Sequence, residues 1–162
     1  MSNDDAEVRT VLGAYLRAFM LGRLDESAVL REEFDARDGG DDEFAGMIDA
    51  VFTVVVRRVF RPPVDPYGIK GLADRCRARF GEAVLTHEMQ MLIRYRLGPS
   101  DAPAPTVALE DRVLMQLLAA DQLVGETGLN DEMDALIAEA EDLAAYRGQG
   151  PDRLVRASAG PC

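Results

Sequence analysis

Apolar residues recur at helical spacing along most of this chain, and this periodicity constrains its fold more than any other feature of the sequence. In the segment 42–60 they stand at Phe44, Met47, Ile48, Val51, Val55 and Val59, which is the pattern of one buried helix face. The run Val54-Val55-Val56 favours a strand by residue preference alone. Because the periodic segment extends over about four helical turns, its length favours a helix instead.

The same criterion predicts seven helices, separated by glycines, prolines and polar breaks. They cover about 4–21, 26–36, 42–60, 66–80, 86–97, 107–125 and 131–147. The residues predicted to cap their N-termini are Asn3, Asp25, Asp65, Thr86, Thr106 and Asn130. Pro66 suits the first position of the fourth helix, where a missing N–H group costs nothing.

Seven helices joined by short turns predict an all-α bundle of about six to seven helices, and a length of 162 residues suits one domain. Within it we expect a helical core over 1–97. The segment 98–105 contains three prolines and is predicted to be a linker. A helical hairpin over 106–148 is then expected to pack on the core, followed by a flexible tail over 149–162.

The net charge of −11 argues against a protein that coats nucleic acid or an anionic membrane, since phosphate neutralisation needs clustered cations. The acidic start of the chain does not fit a secretory signal, and no apolar run has the length of a membrane span. We therefore expect a cytoplasmic protein. Of the 18 basic residues, only Lys70 is lysine, and this bias is typical of GC-rich bacterial genomes.

Charge is distributed unevenly along the chain. Residues 1–56 carry a net charge of −8, residues 57–96 carry +5 and residues 97–162 carry −8. The predicted partner-binding or anion-binding residues all lie in the basic segment and are Arg57, Arg58, Arg61, Lys70, Arg75 and Arg79. Complementary charge favours association between such a segment and an acidic surface. The alternative is that these cations pair with the acidic flanks inside the chain.

Motifs for catalysis are incomplete. His87-Glu88 has Met91 where a zinc-protease helix needs its second histidine, and His87 is the one histidine of the chain. Cys76 lies on the apolar stripe of the fourth helix, which predicts a core residue rather than a nucleophile. We therefore predict no catalytic residue.

Motifs for metal binding are incomplete as well. Asp41-Asp42-Glu43 resembles the start of the magnesium-binding motif of terpene synthases, but Ala45 stands where that motif has its last aspartate. The acidic residues are better explained as a helix start, because carboxylates stabilise the positive end of a helix. We predict no metal ligand and no cofactor.

The sequence thus favours a non-catalytic bacterial protein that acts through protein–protein interaction, including self-association into a homo-oligomer. One alternative is a helical regulator that binds a small molecule, with Arg57, Arg61, Arg75 or Arg79 near the mouth of its pocket. The second alternative is an enzyme with an unrecognised carboxylate or arginine site.

Overall fold

The computed structural model of the chain describes residues 7–37, 40–99 and 102–148. These residues form seven helices and no strand, namely α1 (Val11–Met20), α2 (Leu24–Ala36), α3 (Asp41–Val59), α4 (Pro66–Phe80), α5 (Thr86–Leu97), α6 (Leu109–Thr127) and α7 (Met133–Gly148). Short 3₁₀ turns, Gly81–Ala83 and Leu129–Glu132, precede α5 and α7. The predicted all-α fold with about seven helices is confirmed. None of the described helices has the length and apolarity needed to cross a membrane.

Helix α3 lies at the centre of the bundle. It packs on α5, α6 and α7, and also contacts α1. Every residue from Val51 to Val56 is buried, as expected for a helix that neighbours surround on all sides. The hydroxyl of Thr53 is buried there and donates to the carbonyl of Asp49 at 2.7 Å. The valine run is therefore helical, as its period predicts, although valine favours strands.

Helices α1 and α2 form a hairpin at the edge of the bundle. Helix α2 packs chiefly on α1, while α1 also contacts α7 and α3. Only Ser27 and Phe34 are buried on α2. The hairpin is therefore attached to the rest of the bundle mainly through α1.

The ends of the helices follow the sequence prediction only in part. The predicted start of α4 is confirmed, since Asp65 is the N-cap and accepts a hydrogen bond from the N–H of Tyr67 at 2.9 Å. The predicted start of α1 is wrong, because residues 7–10 are not helical and Thr10 is its N-cap. The predicted cap Asn3 lies outside the described residues, as do Asp38 and Gly39, part of the linker and the tail 149–162.

Other predicted caps are also wrong. Asp25 and Thr86 lie inside their helices, Thr106 precedes the cap of α6, and Asn130 lies in the 3₁₀ turn before α7. Gly128, at φ +68°, follows the last residue of α6 instead of Gly125. Local capping chemistry is worth only about 1 kcal/mol, so contacts with the core can move a helix start by a few residues.

Glu141 fixes the start of α1 from a distance. This side chain of α7 is 3% exposed, and its carboxylate accepts hydrogen bonds from the N–H of Arg9 at 3.0 Å and of Thr10 at 2.6 Å. Thr10 in turn accepts from the N–H of Gly13 at 2.9 Å. The N–H groups at the start of a helix lack partners inside the helix. Here the buried carboxylate of Glu141 is the partner of two such N–H groups. Their hydrogen bonds also compensate the negative charge of the carboxylate.

Asp49 joins four helices through a second polar network. Its carboxylate on α3 accepts from Arg96 of α5 at 2.6 and 2.7 Å, from Gln116 of α6 at 2.6 Å, and from Arg147 of α7. The Asp49 side chain is 14% exposed. An aspartate in this position is stable only because charged and polar donors surround it.

The substitution Gly13→Ala is expected to destabilise the protein by about 1–2 kcal/mol. An added Cβ would stand 2.8 Å from Oε2 of Glu141 and 2.9 Å from Oγ1 of Thr10, so the cap would have to move. Gly46→Ala is the control, because a Cβ there meets no atom within 4 Å. That change should stabilise α3 by about 0.5–1 kcal/mol. Urea unfolding followed by circular dichroism measures both, and shifts of the same sign would contradict this account.

The substitution Asp49→Asn is expected to lower the free energy of unfolding by about 2 kcal/mol, since two guanidinium groups then lose their counter-charge. Asp74→Asn is the control, because Asp74 is exposed and makes no ion pair with any residue that the structure describes. Urea midpoints of the two variants and the parent chain give the comparison. If both variants had the same midpoint, Asp49 would not hold the bundle together.

Candidate partner-binding surface

Two of the predicted basic residues form ion pairs between α4 and α6. Arg75 donates to both carboxylate oxygens of Glu126, at 2.6 and 2.9 Å. One turn later, Arg79 lies 3.3 Å from the carboxylate of Asp121 and donates to Gln122 at 3.0 Å. The hydrogen bond from Arg75 is the main cause that holds the pKa of Glu126 below its ordinary value. Burial raises the pKa of Asp121 in spite of the nearby Arg79.

Arg58 has carboxylate neighbours within the chain as well. It donates to Glu139 of α7 at 2.8 Å and lies 3.9 Å from Glu132. Arg58, Arg75 and Arg79 thus face acidic residues of the C-terminal block. Much of the charge that is separated along the sequence is therefore neutralised in the fold.

Arg57 lies close to the network around Asp49. Burial lowers the pKa of the Arg147 guanidinium, Asp49 opposes this, and the charges of Arg96 and Arg57 lower it further. Arg57 is exposed and makes no ion pair with the part of the chain that the structure describes. Around Asp49, the guanidinium groups of Arg57, Arg96 and Arg147 therefore outnumber the one carboxylate that they surround. Arg96 and Arg147 also lie in the last turns of α5 and α7, where the helix dipole stabilises positive charge.

The remaining predicted residues, Arg61 and Lys70, lie where the chain turns from α3 into α4. Both are exposed, and neither forms an ion pair within 7–37, 40–99 or 102–148. Tyr67 lies between them in the sequence. It is 81% exposed, more than any other large hydrophobic residue that the structure describes. We refer to Arg57, Arg61, Tyr67 and Lys70 together as the basic corner.

Local packing positions the start of α4, which carries Tyr67 and Lys70 of the basic corner. Asp65 caps the first turn of this helix. An added Cβ at Gly68 would stand 3.7 Å from the ring of Phe60, so the start of α4 packs closely against the end of α3. Tyr67 and Lys70 are three residues apart and therefore share one helix face.

The two residues considered for nucleophilic or acid–base chemistry, Cys76 and His87, lie on different helices, α4 and α5. Cys76 is fully buried, and burial raises the pKa of its thiol to about 11, which disfavours the reactive thiolate. His87 is exposed at the start of α5. Cys162 lies outside the described residues.

The candidate metal motif lies at a helix start, as its acidic residues predict. Asp41, Asp42 and Glu43 are all exposed in the first turn of α3. Across the described residues, no three side chains of His, Cys, Asp or Glu come together in a group that could hold a metal ion.

Two clefts open beside the start of α1. One has a volume of about 490 Å³ and the other about 240 Å³, and both are lined by Thr10, Leu12 and Glu43. Met47 and the buried Glu141 also line the smaller one. None of the six predicted basic residues lines either cleft.

Sequence reasoning missed Asp49, Gln116 and Glu141. Each is a polar or charged residue within an otherwise apolar helical stripe, as in Ile48-Asp49-Ala50-Val51. This interruption was the available signal, because a charged residue in a buried stripe needs a partner from another helix. Which helix supplies the partner depends on packing that the periodicity does not determine.

Comparisons with protein-family models, curated proteins and solved structures give no match for this chain.

The substitution Glu126→Gln is expected to cost about 0.5–1 kcal/mol at pH 7, because the Arg75–Glu126 pair is half-exposed and screened by solvent. Folding lowers the pKa of Glu126 below its ordinary value of 4.5. The ion pair therefore makes its full contribution to the free energy of unfolding above pH 4.5. Its contribution is lost as the pH falls through the folded value. Urea midpoints of both proteins should therefore converge in acid. Glu82→Gln, an exposed control, should show no such change, and a Glu126→Gln difference that persisted in acid would contradict the ion pair.

Proposed function

We propose that this chain is a non-catalytic interaction protein whose basic corner binds an acidic surface of a protein partner. The observation that carries the proposal is the contrast among the six basic residues predicted to bind a partner. Three of them face carboxylates inside the chain, while Arg57, Arg61 and Lys70 make no ion pair with any residue that the structure describes. Arg61 and Lys70 flank the exposed Tyr67 in the sequence, and Arg57 lies in the last turn of α3.

The composition of the corner suits recognition of a protein. Tyrosine and arginine are enriched among the residues that dominate binding energy at interfaces, because both combine a large contact area with a polar group. Tyr67 supplies such an area, and the cations beside it favour a carboxylate-rich partner. The location of the protein in a bacterial cytoplasm stays a prediction.

The clefts beside α1 favour the regulator as the second candidate. The smaller one combines the apolar side chains of Leu12 and Met47 with the exposed carboxylate of Glu43, which would suit a small organic cation with an apolar body. A native mass spectrum of the purified protein separates the candidates. A mass excess that denaturation removes would favour this one over the interaction protein.

Binding of a labelled peptide of Glu and Leu, followed by fluorescence anisotropy, tests the proposal. The substitutions Lys70→Glu and Tyr67→Ala are each expected to weaken binding about tenfold, since each removes roughly 1.4 kcal/mol of contact. Raising the salt concentration should weaken binding of the parent chain too.

The substitution Arg112→Glu is the matched control, because it changes the net charge by the same amount as Lys70→Glu. Arg112 lies near the start of α6, three residues before Met115, whose sulfur contacts the N–H of Leu85 at 3.2 Å. It is therefore at the opposite end of α4 from Lys70, and we expect a change of less than about twofold. Equal losses in both variants would show that net charge alone, and not the basic corner, governs binding.

A further inference from the structure

The outward side of α2 carries an exposed aliphatic residue between two carboxylates that form no ion pair with the described residues. Asp25, Val29 and Glu32 are spaced by four and three residues, so they share one helix face, opposite the buried Ser27 and Phe34. Val29 is 65% exposed. We refer to Asp25, Val29 and Glu32 as the acidic face.

The acidic face is distinct from the other charged residues of α2. Arginines of the helix or its flanks lie within ion-pair distance of Glu26, Glu33 and Asp35. Asp25 and Glu32 make no such pair with any of the described residues. A solvent-exposed helix face with two such carboxylates and an exposed valine has both charge and apolar area to offer a partner.

We infer that the acidic face of one copy of this chain binds the basic corner of a second copy. The two surfaces are complementary in charge, because one combines two carboxylates with an exposed aliphatic side chain on one helix face, and the other combines an exposed aromatic side chain with exposed cations near the turn from α3 into α4. The inference rests on the proposed function of the basic corner, and it names the partner as the chain itself.

The overall charge of the chain limits this contact but does not exclude it. Two copies that each carry −11 repel one another at long range, yet physiological salt screens charges beyond about 8 Å. At contact distance the opposite charges of the two surfaces dominate. The contact is small, so we expect a weak and salt-dependent association rather than an obligate dimer.

Each copy carries both surfaces, which predicts how the association behaves. A contact between two different surfaces is heterologous, so the assembly either closes or continues to larger species as the concentration rises. Variants with one reversed surface should lose association with themselves and recover it with each other.

Charge-reversal variants test this in sedimentation equilibrium of the full chain in reducing buffer. One carries Arg61→Glu and Lys70→Glu, and the other Asp25→Lys and Glu32→Lys. All four positions are exposed, and circular dichroism verifies that each variant is folded. We expect each alone to associate at least about tenfold more weakly than the parent chain, and their equimolar mixture to recover to within about threefold of it.

A third variant, with Glu82→Lys and Glu110→Lys, controls for net charge. It gains the same positive charge as the variant of the acidic face, at exposed positions before α5 and at the start of α6. Because both surfaces are intact in this variant, it should associate on its own to within about threefold of the parent chain. A loss as large as that of the Asp25→Lys, Glu32→Lys variant would mean that net charge governs assembly, and the inference would be wrong.

Failure of the inference differs from failure of the proposed function. If the parent chain is monomeric at every concentration, or if the complementary variants do not recover in the mixture, the contact between copies is refuted. The basic corner can still bind the Glu and Leu peptide in that case. If the peptide also fails to bind, the proposed function is refuted as well.

Discussion

The carboxylate of Asp49 is the constraint on which the rest of the bundle depends. It lies on the central helix, and its hydrogen bonds with Arg96, Gln116 and Arg147 connect that helix to three others. Apolar packing tolerates small rotations of a helix, whereas a buried ion pair needs one geometry. The network therefore fixes how α5, α6 and α7 are oriented around α3, and these orientations position α4 with its arginines beside α6.

The same packing explains why charge separation along the sequence is a poor measure of charge separation on the surface. Helices α6 and α7 come from the acidic C-terminal block, and they place Glu126, Asp121 and Glu139 against arginines of the basic segment. The segment loses part of its apparent excess in this way. Among the described residues, the cations of this segment left without an ion pair are Arg57, Arg61 and Lys70 around the turn between α3 and α4, together with the exposed Arg77 and Arg94 on α4 and α5.

The sequence predicts the elements of this fold well because each helix buries a periodic stripe. The valine run of α3 shows that period and length outweigh the preference of single residues. Thr86 and Asn130 show the limit, since a capping residue close to a helix start does not determine where the helix begins. For the candidate surface, sequence reasoning found the basic residues but not Tyr67, because exposure of one aromatic residue depends on how α4 leaves its turn.

Glu141 and Gly13 have a consequence for how this chain can vary. They lie on helices far apart in the sequence, yet the missing side chain of one makes room for the carboxylate of the other. A larger side chain at position 13 would conflict with Glu141, and also with Thr10 and Ile137, whose nearest atoms would stand 2.9 and 3.0 Å from a Cβ there. A descendant of this chain that replaced Glu141 with a short residue would therefore still need Thr10 and Ile137 to move before alanine fitted. Positions 10, 13, 137 and 141 should change together over evolutionary time, and they supply a contact between the first and last helices of the fold that homologous sequences would record.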